Sequence, residues 1–152
     1  MTMRNAVRMA VFSAAFAGFA TAANAQAVQF FAVLDGGNEV SAGGDAAAGD
    51  LNGNGVASIL LGASGQLCFS LLVRGIATPT AAHIHSGLPG ANGGISITLT
   101  SLPSSGTLGS SAGCLTGLAA GTINQIKASP GKFYVNVHNA AFPSGAIRGQ
   151  LF

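Results

Sequence analysis

The chain has 152 residues, of which only 7% are charged, with six basic residues against four acidic ones. Two of the basic residues, Arg4 and Arg8, lie close to the N-terminus, so the rest of the chain is electrically balanced. This balance excludes the basic surface on which nucleic-acid binding depends.

Residues 1–25 have the order of a secretory signal peptide. A short basic region is followed by an apolar run from Met9 to Ala23 and by an Ala-Asn-Ala sequence that ends at Ala25. This order predicts cleavage after Ala25 and export to the periplasm, the cell surface or the extracellular space. The apolar run is shorter than the ~20 residues of a transmembrane helix, so we expect no transmembrane segment and one domain over residues 26–152.

Most of the remaining chain alternates between apolar and other side chains, in short runs separated by Gly, Pro, Asn and Ser. This period of two is typical of half-buried β-strands. In chain order the runs are VQFFAVL, GVASILL, GQLCFSLLVRGI, the histidine-containing TAAHIHSGLPGANGG, GGISITLT, KFYVNVHN and GAIRGQLF. About seven strands at this close spacing predict an all-β fold, either an antiparallel β-sandwich or a small barrel.

Two stretches depart from this alternation. Residues 36–55 are rich in Gly, Ala and Asp and are predicted to form a long loop. In LAAGTINQIKASPGK, Ile123 and Ile126 recur at helical spacing, and Thr122 is suited to cap a helix N-terminus. We therefore expect one short helix, which ends at Pro130-Gly131.

The chain has two cysteines, Cys68 and Cys114. In the oxidising compartment that the signal peptide predicts, an even pair of cysteines favours a disulfide over two independent buried thiols. A disulfide between Cys68 and Cys114 would close the loop between them, and the lost entropy of the unfolded chain would stabilise the fold by roughly 3 to 4 kcal/mol. We therefore predict a disulfide between them.

Two of the three histidines, His83 and His85, are one residue apart. On a strand they point to the same face, while Ile84 points to the other. His138 likewise lies opposite the apolar residues of its own predicted strand. If the two strands are neighbours, the three imidazoles form a set suited to Zn(II) or Cu(II). The alternative is that all three are surface positions that hydrogen-bond to backbone and water.

Other catalytic and metal-binding patterns are incomplete. The stretch GSSAG fits the G-x-S-x-G motif around Ser111, but no acidic residue follows Asp50, so a hydrolase triad cannot be assembled. All four acidic residues lie in one N-terminal stretch, which disfavours paired catalytic carboxylates. The sequence DLNGNG opens like a calcium loop, but its twelfth position is Leu61 rather than Glu. An enzyme of this sequence would have to depend on a metal.

Three stretches together resemble the CHRD domain, a module named after chordin that also occurs alone in exported bacterial proteins. They are AHIH with a glycine soon after it, YVNVH, and a Pro/Gly turn followed by IRGQ. Their residues are His83, His85, Gly87, Tyr134, Asn136, His138, Pro143, Gly145, Arg148, Gly149 and Gln150. The resemblance extends from Val28 to Phe152. The sequence NEV also resembles an early E-V-P of the family, with Ser41 in the proline position.

The resemblance implies an extracellular β-sandwich of immunoglobulin-like size and an interaction role without an established catalytic activity. It also identifies Asn136, Arg148 and Gln150 as parts of a structural motif. Because Arg148 lies opposite Ile147 on its strand, we expect its side chain to bond loop carbonyls or Asn136. A weaker similarity, to copper-zinc superoxide dismutases, lacks their bridging histidine and zinc-site aspartate and only makes copper the first ion to test.

These observations favour a secreted binding module with a three-histidine copper or zinc site and an unknown protein or surface as its partner. A rival hypothesis is a small copper-handling or copper-dependent redox protein. Another is an envelope or matrix protein that self-associates, because a surface with so few charges offers little repulsion.

Overall fold

Short strands make up most of the described chain. The computed structural model describes residues 26–63, 65–104 and 108–152, so the predicted signal peptide lies outside the described residues. The elements in chain order are β1 (Val28–Asp35), β2 (Asn54–Leu61), β3 (Leu67–Arg74), β4 (Pro79–Ser86), β5 (Ile95–Thr98), β6 (Gly109–Leu115), α1 (Ala120–Ala128), β7 (Phe133–Asn139) and β8 (Ile147–Gln150). Among the described residues, no helix is long and apolar enough to cross a membrane.

The strands form one antiparallel sheet in the order β5-β4-β7-β8-β1-β2-β3-β6. The sheet curls into a half-barrel, so one continuous sheet replaces the two packed sheets of a sandwich. The prediction of an all-β fold with one short helix is therefore confirmed, with eight strands in the described chain rather than about seven.

The inner face of the curled sheet encloses one hydrophobic core. The apolar residues of the predicted alternation supply most of its side chains. On β3, for example, Leu67, Phe69 and Leu71 are buried while the intervening residues are not. The helix α1 adds Ile123 and Ile126 to the same core, as expected. Its predicted cap is wrong, however: the N-cap is Ala119, and Thr122 lies inside the helix.

The strand that sequence alternation missed is β6, with the sequence GSSAGCL. Its small side chains have no apolar period, but its register with β3 places Cys114 directly opposite Cys68. The sulfur atoms of the two cysteines are 2.01 Å apart, in agreement with the predicted disulfide. The covalent bond therefore attaches this edge strand to the sheet. Ser111, the central serine of the G-x-S-x-G match, lies within β6 and not on the sharp strand-to-helix turn that the motif requires.

The outer face of the sheet has two halves of opposite character. Asp35 of β1 pairs with Arg148 of β8, so both halves project to the same side of the sheet. The outer face of β1, β2 and β3, called the apolar half here, exposes Phe31, Val33, Val56, Leu60 and Leu72. The outer face of β4, β7 and β8, called the polar half, carries His83, His85, Tyr134, Asn136, His138, Arg148 and Gln150, of which only His83 and Gln150 are not fully buried.

Candidate metal centre

The neighbouring strands β4 and β7 bring the three histidines together. His83 and His85 project from the outer face of β4, while Ile84 between them is in the core. The register pairs Ala81 with His138, so the third imidazole lies one position further along the same face. One ring nitrogen of each histidine lies within 4.8 Å of the others.

Two of the imidazoles are held by backbone carbonyls. The Nδ1 atom of His85 lies 3.0 Å from the carbonyl oxygen of Gly93, and that of His138 lies 3.1 Å from the carbonyl oxygen of Pro143. Because a carbonyl can only accept, both Nδ1 atoms carry the proton and both Nε2 atoms have a free lone pair. The Nε2 atom of His85 is buried without a partner in the described chain. This is the arrangement in which proteins present histidine to a metal.

The remaining imidazole completes the cluster. The Nδ1 atom of His83 lies 3.0 Å from the Nε2 atom of His138, so in the absence of metal His83 donates a hydrogen bond there. At a metal–nitrogen distance of about 2.0 Å, two ligand nitrogens are separated by roughly 2.8 Å at a right angle and 3.3 Å at the tetrahedral angle. The separation of this one pair fits either geometry, so it does not choose between copper and zinc.

The environment keeps the histidines neutral. Burial lowers the pKa of all three, because the charged imidazolium loses its hydration. The charge of a neighbouring imidazole lowers the pKa of His83 and His138 further, and Arg148 does the same for His85. Neutral imidazole is the form that can bind a metal ion, and the lowered pKa values favour that form below the usual pKa of histidine.

A stack of planar groups adjoins the histidines. The ring of Tyr134 lies parallel to that of His85, with centroids 4.9 Å apart. The guanidinium carbon of Arg148 lies 3.7 Å from the centroid of the same tyrosine ring. Tyr134 therefore fixes the orientation of His85, one of the candidate ligands, and also contacts the positively charged side chain of Arg148.

The glycine-rich loop of residues 87–94 covers the polar half. Arg148 donates hydrogen bonds to the carbonyl oxygens of Ala91 and Leu88 and to the side-chain oxygen of Asn92. Gln150 donates to the carbonyl oxygen of Gly87, at 2.6 Å. Arg148 thus bonds loop carbonyls rather than Asn136, and it is almost completely buried. Both side chains hold the loop that supplies the carbonyl partner of His85.

Sequence reasoning did not assign a role to Glu39. Its side chain is only 2% exposed, and one carboxylate oxygen accepts a hydrogen bond from Asn136 at 3.4 Å. Gly145 makes room for it, since a Cβ atom there would lie 2.5 Å from the carboxylate. Burial raises the pKa of Glu39 to about 7, against the opposing effects of Arg148, the Val40 backbone and Asn136. The only sequence signal was the resemblance of NEV to the family's E-V-P, because the burial of Glu39 depends on contacts between residues far apart in the chain.

The other predicted turns have structural partners. In DLNGNG, the side chain of Asp50 accepts a hydrogen bond from the backbone N–H of Asn52, and its carbonyl accepts one from Gly53. This is a turn leading into β2, in agreement with the incomplete calcium pattern. Asn92 of the covering loop also donates to the carbonyl oxygens of Val40 and Ser41, so the two loops over the polar half are joined.

Comparison with known proteins identifies one family. The family model of the CHRD domain matches residues 30–151, which is most of the chain. The curated proteins and the solved structures contain no match to this chain.

Proposed function

We propose that this protein, which belongs to the CHRD domain family, is an exported binding module whose three histidines hold a Cu(II) or Zn(II) ion. The observation that carries the proposal is the unpaired, buried Nε2 atom of His85 beside the two other imidazoles. An unpaired polar atom in the interior is costly, and a metal ion would satisfy it.

Each histidine has a defined part in this proposal. His85 and His138 present Nε2, because their Nδ1 protons are bonded to backbone carbonyls. His83 would present Nδ1 with its proton on the other ring nitrogen, so a bound ion would take the place of the hydrogen bond between His83 and His138. When bound, the ion supplies a Lewis-acidic position that a partner's donor atom can occupy.

Export is part of the proposal and has its own support. The N-terminal segment has the order of a signal peptide, and the two cysteines lie at bonding distance, as expected of an oxidising compartment. The partner is then a protein or a surface outside the cytosol.

The same donor set also fits a small copper-handling or copper-dependent redox protein. Among the described residues, the three imidazoles have no thiolate or thioether beside them, and such a donor set favours Cu(II) over Cu(I), which argues for holding rather than shuttling the ion. A copper-loaded protein that is reversibly reduced and reoxidised without losing the metal would support the redox alternative.

The decisive experiment is metal analysis and titration. The full chain should be expressed, recovered from the exported fraction without an affinity tag, and analysed for metal before titration with Cu(II) and Zn(II). We expect one equivalent bound with sub-micromolar affinity, and loss of this binding in each of His83→Ala, His85→Ala and His138→Ala. Thr80→Ala, at an exposed position of β4, is the matched control and should bind as the wild type does. Stoichiometric binding that survives the loss of His138 would refute the site.

The pH dependence adds a second test. Because all three pKa values are lowered, affinity should stay constant down to pH 6.5 and fall only below it. A midpoint above the usual histidine pKa would contradict ligation by this buried cluster.

A further inference from the structure

We infer that the apolar half of the outer face is the contact surface of a homodimer in which two copies of the chain stack sheet against sheet. This surface lies away from the histidine cluster, so the inference goes beyond the proposed metal site. Its support is the exposed area, the pattern of side chains and the position of two opposite charges.

The apolar half carries large apolar side chains that are exposed to solvent, although its three strands lie inside the sheet rather than at an edge. Its side chains follow the register directly, since Val33 pairs with Val56 and Val56 pairs with Leu72 across the three strands. Phe31 packs beside Phe152 with ring centroids 6.5 Å apart. Seven apolar side chains on this face or next to it are between 40% and 66% exposed: Phe31, Val33, Val56, Leu60 and Leu72 of the apolar half, with Leu108 and Phe152 beside them.

The size of this surface is appropriate for a partner. These exposed fractions amount to an apolar area on the order of 600 Å², at the top of the range found on monomeric proteins. Two copies that face each other would bury roughly 1,200 Å², the lower end of specific protein interfaces.

The charges at one end of the surface favour a second copy. Asp35, Asn54 and Arg74 pair across β1, β2 and β3, so an acid and a base lie at the two ends of one row. A two-fold axis parallel to the strands reverses this row and places each Asp35 opposite the partner copy's Arg74. The surface is thus complementary to itself. A lipid-binding face would instead surround its apolar centre with several basic residues.

The test is the oligomeric state of the purified full-chain product, measured by sedimentation from micromolar to millimolar concentration. We expect a monomer–dimer equilibrium that Val56→Lys weakens by at least about tenfold, because a charge would be buried in the centre of the contact. Ile95→Lys is the matched control, since Ile95 is 58% exposed on the edge strand β5, outside this surface. It should dimerise as the wild type does.

Charge reversal tests the orientation. Asp35→Lys and Arg74→Glu should each weaken the dimer, and the double variant should restore it, because the opposite charges again face each other. Circular dichroism and thermal melting confirm that every variant is folded. A wild type that stays monomeric at millimolar concentration, or a Val56→Lys variant that dimerises normally, would overturn the inference. So would a monomer that instead binds phosphatidylcholine vesicles, which would assign the face to a lipid surface.

Discussion

The polar and apolar halves lie on one face of one sheet, yet their exposure is the reverse of what their chemistry suggests. Arg148 in the polar half is 2% exposed, whereas Val33 in the apolar half is 60% exposed. The difference comes from the covering loops, because residues 87–94 and the segment around Glu39 lie over the polar half alone. Buried polar groups and exposed apolar patches are the informative exceptions in a fold, and here they point to two different functions.

The largest expected effect concerns the disulfide that attaches β6 beside the apolar half. Replacing both Cys68 and Cys114 by serine should lower the free energy of unfolding by roughly 3 to 4 kcal/mol, because the loop between them gains entropy in the unfolded chain. Chemical denaturation of the variant and the wild type measures this difference. Intact mass of the non-reduced wild type should be two hydrogens below that of the reduced chain. Two free thiols in protein from the exported fraction would show that the bond does not form there.

The next largest effect contrasts two arginines on the same face. Arg148→Ala should lower the free energy of unfolding by about 2 to 3 kcal/mol, because it leaves buried loop carbonyls without a charged donor. Arg74→Ala, in the apolar half, removes an exposed charge and should change it by less than about 0.5 kcal/mol. Thermal melting of both variants is the measurement. Equal effects would mean that the loop does not depend on Arg148.

The contrast between these two arginines also indicates how far sequence reasoning reaches. Alternation predicts which side of a strand Arg148 occupies, and it places His83, His85 and His138 on matching faces, because side-chain direction is a local property. It does not reveal that loops bury this face, since the covering depends on contacts between residues far apart in the chain. For the same reason no buried role was predicted for Glu39, although NEV matched the family pattern. The edge strand β6 was missed because Gly, Ser and Ala carry no apolar period, although pairing the cysteines across two strands would have located it.

Glu39 gives the stability of the polar half a pH dependence. Its pKa is raised from 4.5 to about 7, so the folded state binds a proton more tightly than the unfolded state. Its contribution to stability is therefore complete below pH 4.5 and is lost as the pH rises through about 7, at up to about 1.4 kcal/mol per pH unit. The lowered pKa values of the histidines act in the opposite sense, and their contribution is lost as the pH falls below 6.5.

Glu39→Gln separates these opposing effects. The variant keeps the shape of the side chain but cannot ionise, so only the histidine contribution should remain. Its stability should be independent of pH above 6.5, whereas the wild type should lose stability as the pH rises from 6.5 to about 7 and should change little above that. Below pH 6.5 it should lose stability more steeply than the wild type. Denaturation in metal-free buffer across this range is the measurement, and parallel curves for the two proteins would contradict a buried, proton-binding Glu39.

The smallest expected effect is that of a threonine substitution in the apolar half, which can be compared with the same substitution on the core face of the same sheet. Val56→Thr changes a side chain that is 49% exposed in the apolar half, whereas Val73→Thr places a hydroxyl at a position only 2% exposed in the core. The first should change the free energy of unfolding by less than about 0.5 kcal/mol, and the second should lower it by roughly 1 to 3 kcal/mol, because a buried hydroxyl loses its hydration. Denaturation should be measured at micromolar concentration, where the proposed dimer is dissociated. A large loss for Val56→Thr under these conditions would mean that something covers the apolar half within a single chain. The small loss expected here, together with weaker association at high concentration, would assign Val56 to contact between chains.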